Sequence, residues 1–90
     1  MNEKKEIIKE IINLGKRIVV LHRGWVLMGK VQIDGDYAIV SDCVNVRKWG
    51  TSKGLGELAK TGPTGNTKLD PQPETVVPLI SIIQMVECEV

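Results

Sequence analysis

Residues 24–42 read GWVLMGKVQIDGDYAIVSD, and their pattern predicts two antiparallel strands joined by a tight turn. Apolar residues alternate with polar ones on both sides of Asp34–Asp36, as they do in strands that bury one face. Gly35 can take the positive φ that a short hairpin turn requires. Gly29 falls in the apolar phase of the first of these strands, where a glycine is typical of a bulge or sharp bend. The stretch therefore predicts a hairpin with one bent strand.

The residues before this hairpin predict a helix followed by another strand. In NEKKEIIKEIINLG the isoleucines recur at helical spacing, with Asn2 as a possible N-cap and Gly15 just beyond the last turn. We therefore expect a helix over about residues 3–14. The segment RIVVLH, residues 17–22, has the composition of a strand.

The residues at the other end of the chain predict two more strands. TVVP and LISIIQMVECEV are separated at Pro78, which cannot donate a hydrogen bond to a strand ladder. We expect a mostly β fold with one N-terminal helix and five strands in a closed, bent barrel. The whole chain would form one domain over residues 1–90, with barrel strands over about 16–47 and 75–90.

A long glycine-rich segment interrupts the predicted strands over about residues 48–74. The part WGTSKGLGELAKTGPTGNTKLD holds five of the nine glycines, yet Thr51 or Ser52 can cap a helical turn that Gly62 would end. Three apolar side chains could anchor this turn, namely Trp49, Leu55 and Leu58. We therefore expect an ordered inserted loop.

Composition limits the function. The formal net charge is only +1, but residues 47–68 carry five basic residues and one acidic residue. Cys43 and Cys88 lack metal-ligand spacing, the GLGELA stretch lacks a surrounding βαβ unit, and His22 has no adjacent carboxylate. We therefore expect no enzyme, no metal and no cofactor. The charged N-terminal residues and the lack of a long apolar run favour a cytoplasmic protein that does not bind membranes.

Two motifs resemble those of the Sm-like family, as bacterial Hfq carries them. GWVLMGKVQIDGDYAIVSD resembles the first Sm motif, in which Gly29 and Tyr37 keep the family spacing, and TVVPLISIIQMV resembles the shorter second motif. The resemblance implies a small barrel whose fourth strand pairs with the fifth strand of a neighbouring subunit. It implies a homo-oligomeric ring of about five to seven subunits. An SH3-like barrel is the nearest alternative fold.

The last strand supports self-association without the family resemblance, because both of its faces are partly apolar. An edge strand of that composition aggregates unless another chain covers it. Packing of this strand under the N-terminal helix is the alternative. The predicted oligomer interface consists of Val76, Val77, Ile82, Ile83 and Met85.

The resemblance implies RNA binding at some of the family's positions and not at others. Leu79 and Ile80 occupy positions where the family places polar residues that bind RNA in the central pore, so that site is expected to be absent or changed. Tyr37 matches an aromatic on which Hfq stacks a base. The inserted loop adds a tryptophan and lysines, which suit phosphate contacts and base stacking. The predicted RNA- or single-stranded DNA-binding residues are Tyr37, Lys48, Trp49, Lys53, Lys60 and Lys68.

The inserted loop carries a second resemblance. WGTSKGLGELAKTGPTGNTKLDP, residues 49–71, is similar to a segment found in small phage and prophage proteins of unassigned function. That resemblance implies no activity. Two functions therefore stay open, a ring that binds RNA or single-stranded DNA and a phage-type structural or protein-interaction module.

Overall fold

The computed structural model describes residues 11–89, which form one open sheet of six antiparallel strands with one short helix. The strands are β1 (Ile11–Leu21), β2 (Val26–Asp34), β3 (Tyr37–Lys48), β4 (Lys68–Pro71), β5 (Thr75–Pro78) and β6 (Ile82–Glu87), and the helix is α1 (Leu55–Thr61). Their order across the sheet is β4, β3, β2, β1 and β6. β5 also pairs with β3, along the half of β3 that β4 leaves uncovered.

The predicted closed barrel of five strands is wrong. Closure would require β6 to pair with β4 or β5, but β6 pairs with β1 and both other strands pair with β3. Within residues 11–89 the sheet therefore has two open edges. Alternation of apolar and polar residues predicts strands, but it carries no information on which edges meet.

The predicted N-terminal helix is wrong where it can be compared, because residues 11–14 belong to β1. Ile12 pairs with Ile33 of β2, and the Gln32 side-chain amide donates a hydrogen bond to Asn13 Oδ1 at 2.7 Å. Residues 3–10 of that prediction lie outside the described residues. Isoleucine fits a pleated sheet better than a helix, so pairing with β2 overrides the helical spacing.

The structure places a β-bulge opposite Gly29, where a bulge or bend was predicted, but the extra residue lies in β3. Between Met28 and Lys30 the register of β3 gains one residue over that of β2, and the bulge holds Asp42 at φ 48°. A Cβ on Gly29 would lie 2.6 Å from the backbone oxygen of Ser41, which is closer than real side chains approach. Only glycine leaves room for the bulged backbone of β3 to lie this close to β2.

Two aliphatic cores cover the two faces of the sheet. One face buries Val19, Leu27, Val31, Ala38, Val40, Cys43 and Val77. The other buries Ile18, Val26, Met28 and Val46 beneath Leu58 and Ala59 of α1. Neither core contains an aromatic ring, although aromatic side chains usually supply much of the buried area of a small domain.

Candidate nucleic-acid interface

The segment predicted as one inserted loop, residues 48–74, contains α1 and the extra strand β4. The expected helical turn is present as α1, whose Leu58 is fully buried against the sheet. Gly62, at φ 88°, ends this helix by donating its backbone N–H to the Leu58 carbonyl. Burial of Leu58 holds the middle of the segment on the sheet, and pairing of β4 with β3 holds its C-terminal part.

Two backbone segments, residues 49–50 and 64–67, lie against each other and close the inserted loop. Gly50 has φ 71°, and a Cβ there would overlap the backbone of Asn66. The Thr67 hydroxyl donates to the Trp49 carbonyl at 2.6 Å, and the Thr64 hydroxyl donates to the Gly50 carbonyl at 2.9 Å. These bonds fix the end of β3 against the start of β4.

The closure places two lysines directly opposite each other, since Lys48 pairs in register with Lys68. Both side chains are exposed, and neither has a carboxylate partner among residues 11–89. Like charges at paired positions repel and cost stability. A bound anion would relieve that repulsion.

The turn between β1 and β2 lies at this same end of the sheet. Leu27 pairs with Asn45, which brings Trp25 beside Arg47. Both line a shallow depression with Gly24 and Asn45. We call this end of the sheet the basic end, and it consists of Arg23, Trp25, Arg47, Lys48, Trp49 and Lys68.

An ion pair positions Arg47 within the basic end. Its Nε and Nη2 donate to the Asp70 carboxylate at 2.8 and 3.2 Å. The hydrogen bonds from Arg47 lower the pKa of Asp70, and those to Asp70 raise the pKa of Arg47. The guanidinium is therefore held in one plane, and its other N–H groups are left for a ligand.

The chain has three aromatic side chains, and all of them are exposed. The exposed fraction is 59% for Trp25, 44% for Trp49 and 52% for Tyr37. The Trp49 ring packs beside Gly54, at the turn before α1. Tyr37 lies at the opposite end of β3, beside Asp34 and Asp36. The structure therefore separates Tyr37 from the other predicted nucleic-acid residues.

The two remaining predicted lysines lie on α1 and the turn before it. Lys53 and Lys60 border an open depression that also contains Glu57. The N-cap of α1 is Gly54, not Thr51 or Ser52 as predicted, and it has no side-chain cap. Glu57 instead holds the preceding turn, because its Oε1 accepts hydrogen bonds from the Lys53 backbone N–H at 2.9 Å and from the Ser52 hydroxyl at 3.1 Å. These lysines thus share a depression with the Glu57 carboxylate.

The predicted oligomer residues divide into two groups. Val76 and Ile83 are 55% and 59% exposed, and they lie on the edge strands β5 and β6. Val77 is buried in the core, while Ile82 and Met85 are half-buried against it. The described residues thus leave Val76 and Ile83 most accessible to a second chain.

Sequence reasoning missed three residues of the basic end, namely Arg23, Trp25 and Arg47. The stretch predicted as a strand pair begins with Gly24 and Trp25, but β2 begins at Val26. The available signal was the preceding Arg23–Gly24 turn, because residues that flank a turn commonly reach solvent.

Other chemistry has weaker support in the described residues. Burial raises the pKa of both the Cys43 and the Cys88 thiols, which favours their protonated, unreactive form. Within residues 11–89 no cluster of His, Cys, Asp and Glu could hold a metal ion. The helix of the described region, α1, is too short to cross a membrane.

Comparison of the chain with protein families, with curated proteins and with solved structures finds no match. The resemblances to Sm-like and phage proteins therefore stay predictions.

Proposed function

We propose that this protein is a non-enzymatic homo-oligomer that binds single-stranded RNA or DNA through its basic end. The observation that carries this proposal is the exposure of two tryptophan rings among basic side chains, in a protein whose core holds no aromatic ring. Stacking of one base on an aromatic side chain contributes about 1–3 kcal/mol. Exposed tryptophans that add nothing to the core would therefore contribute directly to binding.

The basic end offers separate contacts for phosphates and for bases. Lys48 and Lys68 form a pair of cations suited to a phosphate, since a phosphate between them would relieve their repulsion. Trp25 offers a stacking ring beside the side-chain amide of Asn45. That side chain makes no hydrogen bond within residues 11–89. Stacking requires an unpaired base, which favours single strands over a duplex.

Self-association would increase affinity by presenting several basic ends together. The outer edges of β5 and β6 have no partner strand among the described residues, and each carries an exposed aliphatic side chain, Val76 and Ile83. Pairing of one copy's β5 with another copy's β6 would cover both edges. Linked sites then bind one long strand with higher avidity than a single site.

Binding can be tested with two double variants that remove the same charge at different places. Lys48→Gln/Lys68→Gln should reduce the affinity for a fluorescent single-stranded RNA at least about tenfold, because two phosphate contacts are lost. Lys53→Gln/Lys60→Gln is the control, and it should reduce the affinity less than about threefold. Fluorescence anisotropy at several salt concentrations provides the measurement. Equal losses in the two variants would contradict a phosphate site at Lys48 and Lys68.

Trp25→Ala and Trp49→Ala should each weaken binding by about 1–3 kcal/mol if a base stacks on the ring. Tyr37→Ala is the matched aromatic control, and it should leave the affinity unchanged because Tyr37 lies at the other end of β3. Absence of binding by the wild-type protein to both RNA and single-stranded DNA at low salt would overturn the proposed function.

The oligomer has its own test. At high salt, Ile83→Lys should lower the mass measured by light scattering towards that of a 9.9 kDa monomer, because a lysine on an edge strand opposes its pairing with a second chain. Gln84→Lys is the control, since Gln84 is a polar neighbour already exposed on β6. A monomeric wild-type protein at micromolar concentration would contradict the oligomer without affecting the binding test.

A protein-interaction module is the second candidate function. The observation that favours it is a group of exposed apolar side chains away from the basic end, namely Tyr37, Val76 and Ile80. A wild-type protein that binds no nucleic acid would make this function the better explanation.

A further inference from the structure

The hairpin end of the sheet carries a depression that the proposed nucleic-acid binding does not use. It is lined by Asp34, Gly35, Asp36, Tyr37, Ile39 and Val76. Tyr37, Ile39 and Val76 share the face of the sheet that α1 covers elsewhere, since their neighbours Ala38 and Val77 belong to the core on the opposite face. α1 packs over Ile18, Val26 and Met28, so among residues 11–89 no helix covers this end of the face. We call this depression the acidic end.

The acidic end has an apolar floor and a negative rim. Tyr37 and Val76 are both more than half exposed on its floor. Asp34 and Asp36 supply two carboxylates, and no lysine or arginine within residues 11–89 lines the depression. A surface of this kind fits a partner that presents cations together with an exposed apolar ring.

The basic end of the same protein has that composition. Arg23, Lys48 and Lys68 are exposed cations that no carboxylate within residues 11–89 pairs with, and two tryptophan rings stand among them. We infer that the acidic end of one copy docks on the basic end of a second copy. The tryptophan rings would cover the Tyr37 and Val76 floor, and the cations would face Asp34 and Asp36.

This contact differs from pairing of the sheet edges. The two surfaces lie at opposite ends of β3, so the contact is head-to-tail and leaves one surface of each kind open. Such heterologous contacts build chains or, where the rotation closes, rings. If the proposed function also holds, nucleic acid and a second copy would compete for the same basic end. The docking itself does not depend on that function.

Charge-swapped variants test the docking directly. Every variant also carries Ile83→Lys, so that pairing of the β5 and β6 edges does not contribute to the measured mass. Asp34→Lys/Asp36→Lys makes both ends of the sheet basic, and Lys48→Glu/Lys68→Glu removes the cations of the basic end. Each variant alone should sediment as a monomer, whereas their equimolar mixture should associate, because each end then meets its opposite charge.

Sedimentation velocity at low salt measures these masses. The Ile83→Lys protein should associate, and raising the salt from about 0.05 to 0.5 M should weaken its association at least about tenfold. The control Glu74→Lys/Glu89→Lys makes the same charge change at exposed residues outside the depression, and it should still associate. Circular dichroism verifies that each variant is folded. If Asp34→Lys disturbs the turn, Asp36→Lys alone should still weaken association about threefold.

Two results would overturn the docking. One is a mixture no heavier than its two components, and the other is an Ile83→Lys protein that remains monomeric at low salt. Addition of single-stranded RNA should dissociate the head-to-tail contact. If the copies stay associated while RNA is bound, the RNA and the second copy use different surfaces. That result would overturn docking on the basic end. A failure to bind RNA would leave the salt and mixing results as the evidence for docking.

Discussion

Gly29→Val should destabilise the protein by about 3 kcal/mol, because overpacking against the backbone of the paired strand cannot be relieved by side-chain rotation. The added Cβ would lie 2.6 Å from the Ser41 carbonyl oxygen and 2.8 Å from Val40 Cγ1. The bulge in β3 would have to move away from β2, which would disturb both cores. A urea titration followed by circular dichroism measures the change in the free energy of unfolding.

Gly56→Val is the matched control for this change. Gly56 lies on the exposed side of α1, and a Cβ there meets nothing within 4 Å. Its free energy of unfolding should stay within about 0.5 kcal/mol of the wild-type value. A Gly29→Val protein that unfolds at the wild-type urea concentration would show that β3 does not approach Gly29 as closely as the structure indicates.

Leu58→Ala should destabilise the protein by about 3 kcal/mol, because it leaves a cavity between α1 and the sheet. Leu58 is fully buried with Ile18, Val26 and Met28. Loss of this contact would loosen the turn under Trp49, so affinity for single-stranded RNA should fall as well. Urea unfolding measures the first effect and fluorescence anisotropy the second.

Leu55→Ala is the control for the burial of Leu58. Leu55 is half-buried at the start of the same helix, so its loss should cost about 1 kcal/mol. Equal destabilisation by the two changes would contradict the view that α1 is anchored mainly through Leu58.

The basic end illustrates why part of the site could not be predicted. Lys48 and Trp49 stood out because lysines, glycines and a tryptophan occur close together in one segment. That Lys48 lies opposite Lys68 depends on a strand pairing that joins residues twenty positions apart. That Trp25 reaches the same end depends on the register of β2 with β3. Registers of this kind are set by the packing of whole faces, so no local pattern reveals them.

The sequence by itself determined the features that depend on neighbouring residues. Alternation and Gly35 specify the hairpin of β2 and β3, and Pro78 ends β5. Each follows from steric limits on a few consecutive backbone angles.

Only the tertiary structure decided that residues 11–14 extend β1, that β4 exists, and that the sheet stays open. Residues 11–14 have helical spacing, yet they gain a ladder with β2 that an isolated helix could not match. β4 has four residues, and it is a strand because β3 offers a free edge there. Edges, registers and exposed rings depend on contacts between distant residues, whose energies exceed local preferences.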